Sequence, residues 1–202
     1  MSPSEAPAAS QTPARVVAIA ASAGGLSALT HVLTALPAGF GAPIIVLQHL
    51  RADQKSFMAE ILGRRVALPV ASARHGERLT VGKVYVAPPG RHLLVLADGV
   101  LALSDTERVR FVRPAADVLF HSLAESLGPR AVAVVLTGTG KDGADGVREI
   151  HRRGGTVIVQ DEASSQFFGM PGASIKTGMV DRVLPLDEIA PALVALTRGG
   201  ER

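Results

Sequence analysis

The chain of 202 residues carries 21 Lys and Arg against 18 Asp and Glu, a formal net charge of +3, and 47% of it is hydrophobic. A chain of this size buries roughly 70% of its unfolded surface, enough for one substantial core, and the composition does not force two domains. Without cysteine, disulfides, thiolate catalysis and Cys-ligated metal sites are excluded, and without a basic run interleaved with aromatics nucleic-acid binding has little support.

Residues 1–14 are rich in Ser, Ala and Pro, lack the apolar segment of a signal peptide, and read as a disordered tail before a domain over 15–202. No apolar run approaches the roughly 20 residues of a membrane helix, so direct membrane insertion is not expected. The absence of cysteine is compatible with a cytoplasmic setting.

Residues 16–20 form a first apolar strand, followed by a helix over 25–36 in which Leu26, Leu29, Val32, Leu33 and Leu36 recur at helical spacing. Residues 43–49 read as a second strand, continuous in apolar side chains as a strand buried on both faces must be, and closing on His49. A short helix over 55–62 and a strand over 66–70 follow. Between residues 76 and 104 the pattern changes: apolar runs at 84–87, 92–96 and 100–103 are separated by Pro88-Pro89-Gly90 and Asp98-Gly99. Asp-Gly between two such runs is a strong hairpin signal, so an antiparallel patch is expected here.

Alternation then resumes with a helix over 115–127, a strand over 131–136, a helix over 144–153 stopped by Gly154-Gly155, and a strand over 156–160. A polar, glycine-rich stretch to residue 178 contains a short helix after Pro171, and an edge strand over 180–184 and a helix over 186–197 close the chain. The expected fold is α/β: a doubly wound, mostly parallel sheet with helices on both faces and an antiparallel hairpin insertion.

In such sheets ligands gather beyond the carboxyl ends of the strands. Ser22 follows the first strand, His49 the second, and Asp142 follows the strand over 131–136 through a glycine-rich loop. A hydroxyl, an imidazole and a carboxylate at one edge supply a nucleophile, its base and the anion that orients the base. The Ser22 turn, Ala20-Ala21-Ser22-Ala23-Gly24, approximates the G-x-S-x-G elbow with Ala20 at the first glycine. The order Ser, His, Asp differs from the Ser, Asp, His order of α/β-hydrolases, which implies another topology. Plainer roles compete: Ser22 as a helix cap, and Asp142 or Asp145 as a cap of the helix near Ala144. The other five histidines have no strand-end placement and read as surface or structural residues. The loop 138–143 lacks the G-x-x-x-x-G-K-[ST] spacing of a phosphate loop, and no second ligand accompanies His49 at metal-binding spacing.

At these residues the sequence resembles the methylesterase domain of the bacterial chemotaxis protein CheB. The resemblance covers most of the chain from Val16 and rests on Ala20-Ala21-Ser22-Ala23-Gly24-Gly25, Gln48-His49, the block 113–122 (RPAADVLFHS), the block 136–146 (LTGTGKDGADG) and Phe168-Gly169-Met170-Pro171. It implies a Ser–His–Asp hydrolase, free of cofactor and metal, that converts glutamyl γ-methyl esters of chemoreceptors to glutamate and methanol. Family members can also deamidate receptor glutamines. Carried over by residue, Ser22 is the nucleophile, His49 the general base and acid, and Asp142 the orienting carboxylate. Backbone N–H groups of Ala23 and Thr139 would meet the oxyanion. The family usually has Gly, Thr and Met where this chain has Ala20, Ala23 and Thr139, and places a receiver domain before the esterase. A stand-alone esterase or a fragment of a longer protein is therefore expected, with a catalytically weak binding module of chemosensory signalling as the alternative.

Overall fold

The computed structural model describes residues 13–49 and 56–198. Residues 1–12 of the expected tail and residue 55 of the expected second helix lie outside them. In chain order the elements are β1 (Val16–Ala21), α1 (Gly25–Thr34), β2 (Ile44–Gln48), α2 (Met58–Gly63), β3 (Val70–Ser72), β4 (Val84–Val86), β5 (His92–Leu96), β6 (Val100–Ser104), α3 (Ala116–Leu127), β7 (Ala131–Val135), α4 (Ala144–Arg152), β8 (Thr156–Gln160), α5 (Gly169–Ile175), β9 (Arg182–Leu184) and α6 (Leu186–Arg198).

Seven strands form one parallel sheet in the order β3-β4-β2-β1-β7-β8-β9. Every residue of β1, β2 and β7 is buried, as their unbroken apolar sequence requires once helices cover both faces. Successive side chains of a strand point to opposite faces. Val16, Ala18 and Ala20 accordingly join Leu119, Phe120 and Leu123 of α3 in one core, while Val17, Ile19 and Ala21 join Leu29, Val32 and Leu33 of α1 and Leu193 of α6 in the other. Each large aliphatic side chain buried this way contributes about 1.5–3 kcal/mol.

The chain leaves β1 for β2 on one side and later places β7 on the other. The doubly wound sheet thus reverses direction at β1 and β7, which is where a crevice opens at the strand ends. Strands β5 and β6 pair antiparallel from His92 opposite Ser104 to Leu96 opposite Val100. This hairpin clamps α3: Ser122 Oγ accepts the Val95 N–H (3.0 Å) and Ser126 Oγ donates to the Val95 carbonyl (2.7 Å).

Three local expectations are corrected. The run at 84–87 belongs to the parallel sheet and not to the antiparallel patch: β4 lies between β2 and β3, with Val84, Tyr85 and Val86 all buried, and the turn at Gly90 bonds to Arg113 instead of closing a hairpin. The third strand begins at Val70, because the N–H groups of Arg65 and Val66 still bond back to Leu62 at the exit of α2. The short helix α5 starts before Pro171, which sits in its first turn where a missing N–H costs nothing.

Candidate active site

The register of the sheet brings the candidate residues to one edge. Ala21 pairs with Gln48 and Ala20 with Val135, so Ser22, His49 and Thr137 follow at the same level. Backbone bonds extend the ladder one step further: His49 N–H to the Ala21 carbonyl (3.1 Å) and Ser22 N–H to the Thr137 carbonyl (3.0 Å). Ser22 is not a helix cap. The N-cap of α1 is Gly24, in the left-handed region at φ 75°, with no side-chain capping bond. The Ser22 carbonyl accepts the Gly25 N–H (2.8 Å) and the Gln48 amide Nε2 (2.5 Å), which pins the turn to β2. A Cβ on Gly25 would collide with the Gln48 amide, so this grip requires glycine there. A groove of about 690 Å³ opens beside Ser22, lined among others by Gly24, Leu26, Thr30, Gln48 and Arg65.

His49 Nε2 lies 2.7 Å from Asp142 Oδ2. An ionised carboxylate only accepts, so Nε2 carries the proton, and the lone pair of the neutral ring is on Nδ1. The familiar serine-protease arrangement has the aspartate on Nδ1, so here the imidazole is turned the other way round. Among the described residues Ser22 Oγ forms no hydrogen bond to the ring. Such contacts often close only when substrate is bound.

Asp142 is 4% exposed yet fully satisfied: Oδ2 also accepts the Ala116 N–H (2.6 Å) and Oδ1 the Asp117 N–H (3.0 Å). It does cap a helix, but that helix is α3 and not α4 as its position in sequence suggests. Burial pushes its pKa up most strongly, but the bonds from His49, Ala116 and Asp117 outweigh burial and hold the carboxyl below the usual carboxylate range. Asp145 does not cap α4 either. It is half-buried and pairs with Arg110 and Arg148.

The loop after β7 lies against the Ser22 turn. A Cβ on Gly138 would come within 2.8 Å of Ser22 Cβ and 3.1 Å of Ser22 N, so only glycine permits the approach. Neither the Ala23 nor the Thr139 N–H, each one residue along from Ser22 and Gly138, is engaged by another described group. Ala20 sits fully buried in the core, so its methyl group is absorbed by packing.

Strand-end placement singles out Ser22, His49 and Asp142, and to these the structure adds Thr137 and Gln160. Thr137, 2% exposed, gives its Oγ1 to the Ala23 carbonyl (3.1 Å) and accepts the Phe167 N–H (2.9 Å), while its own N–H meets Gln160 Oε1 (2.8 Å). Each closes an apolar run, residues 131–136 before Thr137 and 157–159 before Gln160. The remaining histidines are engaged elsewhere or exposed. His31 pairs with Asp187, buried His92 bonds Glu107 and Ala115, and His75 accepts the Leu103 N–H. Among the described residues no group of three or more His, Cys, Asp or Glu could hold a metal, and no helix is long and apolar enough to cross a membrane.

Comparison with known proteins finds relatives over about nine tenths of the chain. The chain is 49% identical over 183 residues to a protein-glutamate methylesterase/protein-glutamine glutaminase of Anaeromyxobacter dehalogenans, covering 91% of this chain and 53% of that protein. It is 45% identical over 182 residues to the protein-glutamate methylesterase FrzG of Myxococcus xanthus, covering 90% and 54%. The chain thus spans about half the length of the curated relatives it matches. The crystal structure of the Thermotoga maritima CheB methylesterase catalytic domain superposes with a TM-score of 0.87 at 37% identity, covering 90% of this chain and 98% of that one. The CheB methylesterase family model matches residues 17–193, a span that begins in β1, ends in α6 and takes in Ser22, His49 and Asp142, and the chain belongs to that family.

Proposed function

We propose that this domain is a serine hydrolase that removes methyl groups from glutamate γ-methyl esters of a protein substrate, with Ser22, His49 and Asp142 as its triad. The observation that carries the reading is the pairing of His49 with the buried Asp142 at the strand edge where Ser22 stands on a turn gripped by Gln48. In this mechanism Ser22 Oγ attacks the ester carbonyl while His49 Nδ1 takes its proton. The imidazolium, steadied by Asp142, returns that proton to the departing methoxide, and methanol leaves. Water, activated by the same nitrogen, then cleaves the acyl-serine to give glutamate and regenerate Ser22. The free N–H groups of Ala23 and Thr139 stabilise the tetrahedral oxyanion as fixed dipoles, which need no reorganisation during the step.

The names of the relatives extend the reading to glutamine side chains, since the same acyl-enzyme forms with ammonia as the leaving group. The partners proposed are methyl-accepting chemoreceptors or related chemosensory proteins, met in the cytoplasm. Release of methanol from a methylated receptor preparation tests this. Ser22→Ala should reduce turnover by about 10⁶-fold, the loss seen on removing the nucleophile of another triad enzyme, with circular dichroism unchanged. Equal release by wild type and Ser22→Ala would refute the hydrolase and favour a binding module.

A further inference from the structure

We propose that Asp117, which stands within the RPAAD segment, is a positioning residue for the triad, locking the loop that carries Asp142 in register with His49. This rests on the esterase reading above. The two aspartates cap each other's helices. Asp142, just before α4, accepts the N–H groups of Ala116 and Asp117 at the start of α3. Asp117, in the first turn of α3, accepts on Oδ1 the N–H groups of Gly143 (2.9 Å), Asp145 (3.0 Å) and Gly146 (2.9 Å), all in the turn that follows Asp142. Each carboxylate thus satisfies donors that open the other's helix, where negative charge is favoured.

The arrangement leaves Asp142 little freedom. Its own oxygens are tied to the α3 backbone, and the peptide that follows it is tied to the Asp117 side chain. Two glycines permit this, Gly143 by its backbone conformation and Gly146 by the close approach of the two helices. Gly143 adopts φ 97°, and a Cβ on Gly146 would come within 2.5 Å of Phe120 Cβ and 3.2 Å of the Asp117 carbonyl. The charge of two neighbouring buried carboxylates is balanced from outside. Arg110, at the tip of a tight turn with Val109 and Val112 bridged, donates to Asp117 Oδ2 (3.0 Å) and to Asp145, which also holds Arg148. Asp117 does not touch His49 or the groove beside Ser22, so it acts through Asp142.

The test compares Asp117→Ala with Asp117→Asn, whose amide oxygen still accepts the three N–H groups. Kinetics of methanol release are measured per folded molecule, and the low-field proton resonance of His49 Nε2–H is recorded on the same samples. Asp117→Ala should lower kcat about 10²-fold, the cost of a displacement on the order of 1 Å, with KM within twofold and the low-field resonance lost. Asp117→Asn should restore kcat at least tenfold over Asp117→Ala and recover the resonance. A kcat within threefold of wild type and an unchanged resonance in Asp117→Ala would overturn the proposal, as would equal losses in both variants. If Asp117→Ala does not fold, Asp117→Ser takes its place, since its single short oxygen cannot reach all three donors, and equality of Ser and Asn then overturns it. Should wild type release no methanol, the esterase reading fails, while the resonance still decides whether Asp117 holds the His49–Asp142 pair.

Discussion

Asp142→Asn exchanges one buried carboxylate oxygen for an amide nitrogen at almost constant volume, and the structure sets its cost. Three donors converge on this side chain: His49 Nε2 and the Ala116 N–H on Oδ2, and the Asp117 N–H on Oδ1. An asparagine can serve only one of the two positions with its oxygen. With oxygen toward His49 the tautomer survives, but the Asp117 N–H faces an amide nitrogen, a buried unsatisfied donor worth about 1–3 kcal/mol of stability. With nitrogen toward His49 the ring must flip its proton to Nδ1, and the base loses the lone pair it needs. The first orientation is therefore the less damaging one. Even there the imidazolium of the proposed mechanism loses an anion at about 4 Å between charge centres, worth ~4 kcal/mol at an effective dielectric near 20. At 1.36 kcal/mol per decade this is about 10³-fold in kcat. The corresponding exchange in a serine protease, where the wrong tautomer results, costs about 10⁴-fold. Single-turnover methanol release from methylated receptor, normalised to folded protein, measures the loss. A kcat within tenfold of wild type would show that Asp142 serves only as the cap of α3.

Two further outcomes follow from the same contacts. Thr137→Val removes the hydroxyl that accepts the Phe167 N–H and holds the Ala23 carbonyl, leaving a buried donor at a cost of about 1–3 kcal/mol. Urea midpoint and kcat should both fall, with Thr137→Ser recovering both, and the account of that network fails if valine is neutral. In acid the two aspartates should pull in opposite directions. The Asp142 carboxyl is held below its ordinary value, so its contribution is present above the unfolded carboxylate pKa near 3.9 and is lost as pH falls through its folded value. The Asp117 carboxyl is pushed up, chiefly by burial and further by the nearby Asp142 charge, against the bonds from Gly146 and Arg110. Its contribution is present below the unfolded value and is lost as pH rises through the folded one. The stability gap between wild type and Asp142→Asn should therefore narrow from pH 7 to pH 3, and the gap to Asp117→Asn should widen. Urea unfolding at both pH values reads the two slopes, and slopes of the same sign would contradict the assignment.

Much of the fold was legible because the relevant signals are local. Unbroken apolar runs such as residues 44–47 announce strands buried on both faces, and Asp98-Gly99 between two such runs announces the β5–β6 hairpin. The run at Val84–Val86 was misplaced because three buried residues look alike in a parallel sheet and in a hairpin, and only the long-range pairing with β2 and β3 separates them. Ser22 and His49 were legible for a similar reason, since each stands one step beyond a strand end. The helix that Asp142 caps was not legible. Capping is normally read between a residue and the helix that follows it, whereas here the donors to Asp142 lie 25 and 26 residues earlier in the chain.

That exchange of caps also explains why the sequence blocks around the two aspartates look unrelated to each other. Residues 113–117 lie far from residues 138–146 in sequence, yet neither block makes sense alone: the first offers two unsatisfied helix N–H groups and a carboxylate, the second offers a carboxylate and three unsatisfied N–H groups. Because buried polar groups must be paired, the two segments can satisfy themselves only by meeting. Their meeting point is fixed by β7, whose pairing with β1 sets Thr137 level with Ser22. The requirement that places the two helix ends together thus also delivers Asp142 to His49, so that the cost of burying the carboxylate is offset by the backbone before any substrate arrives.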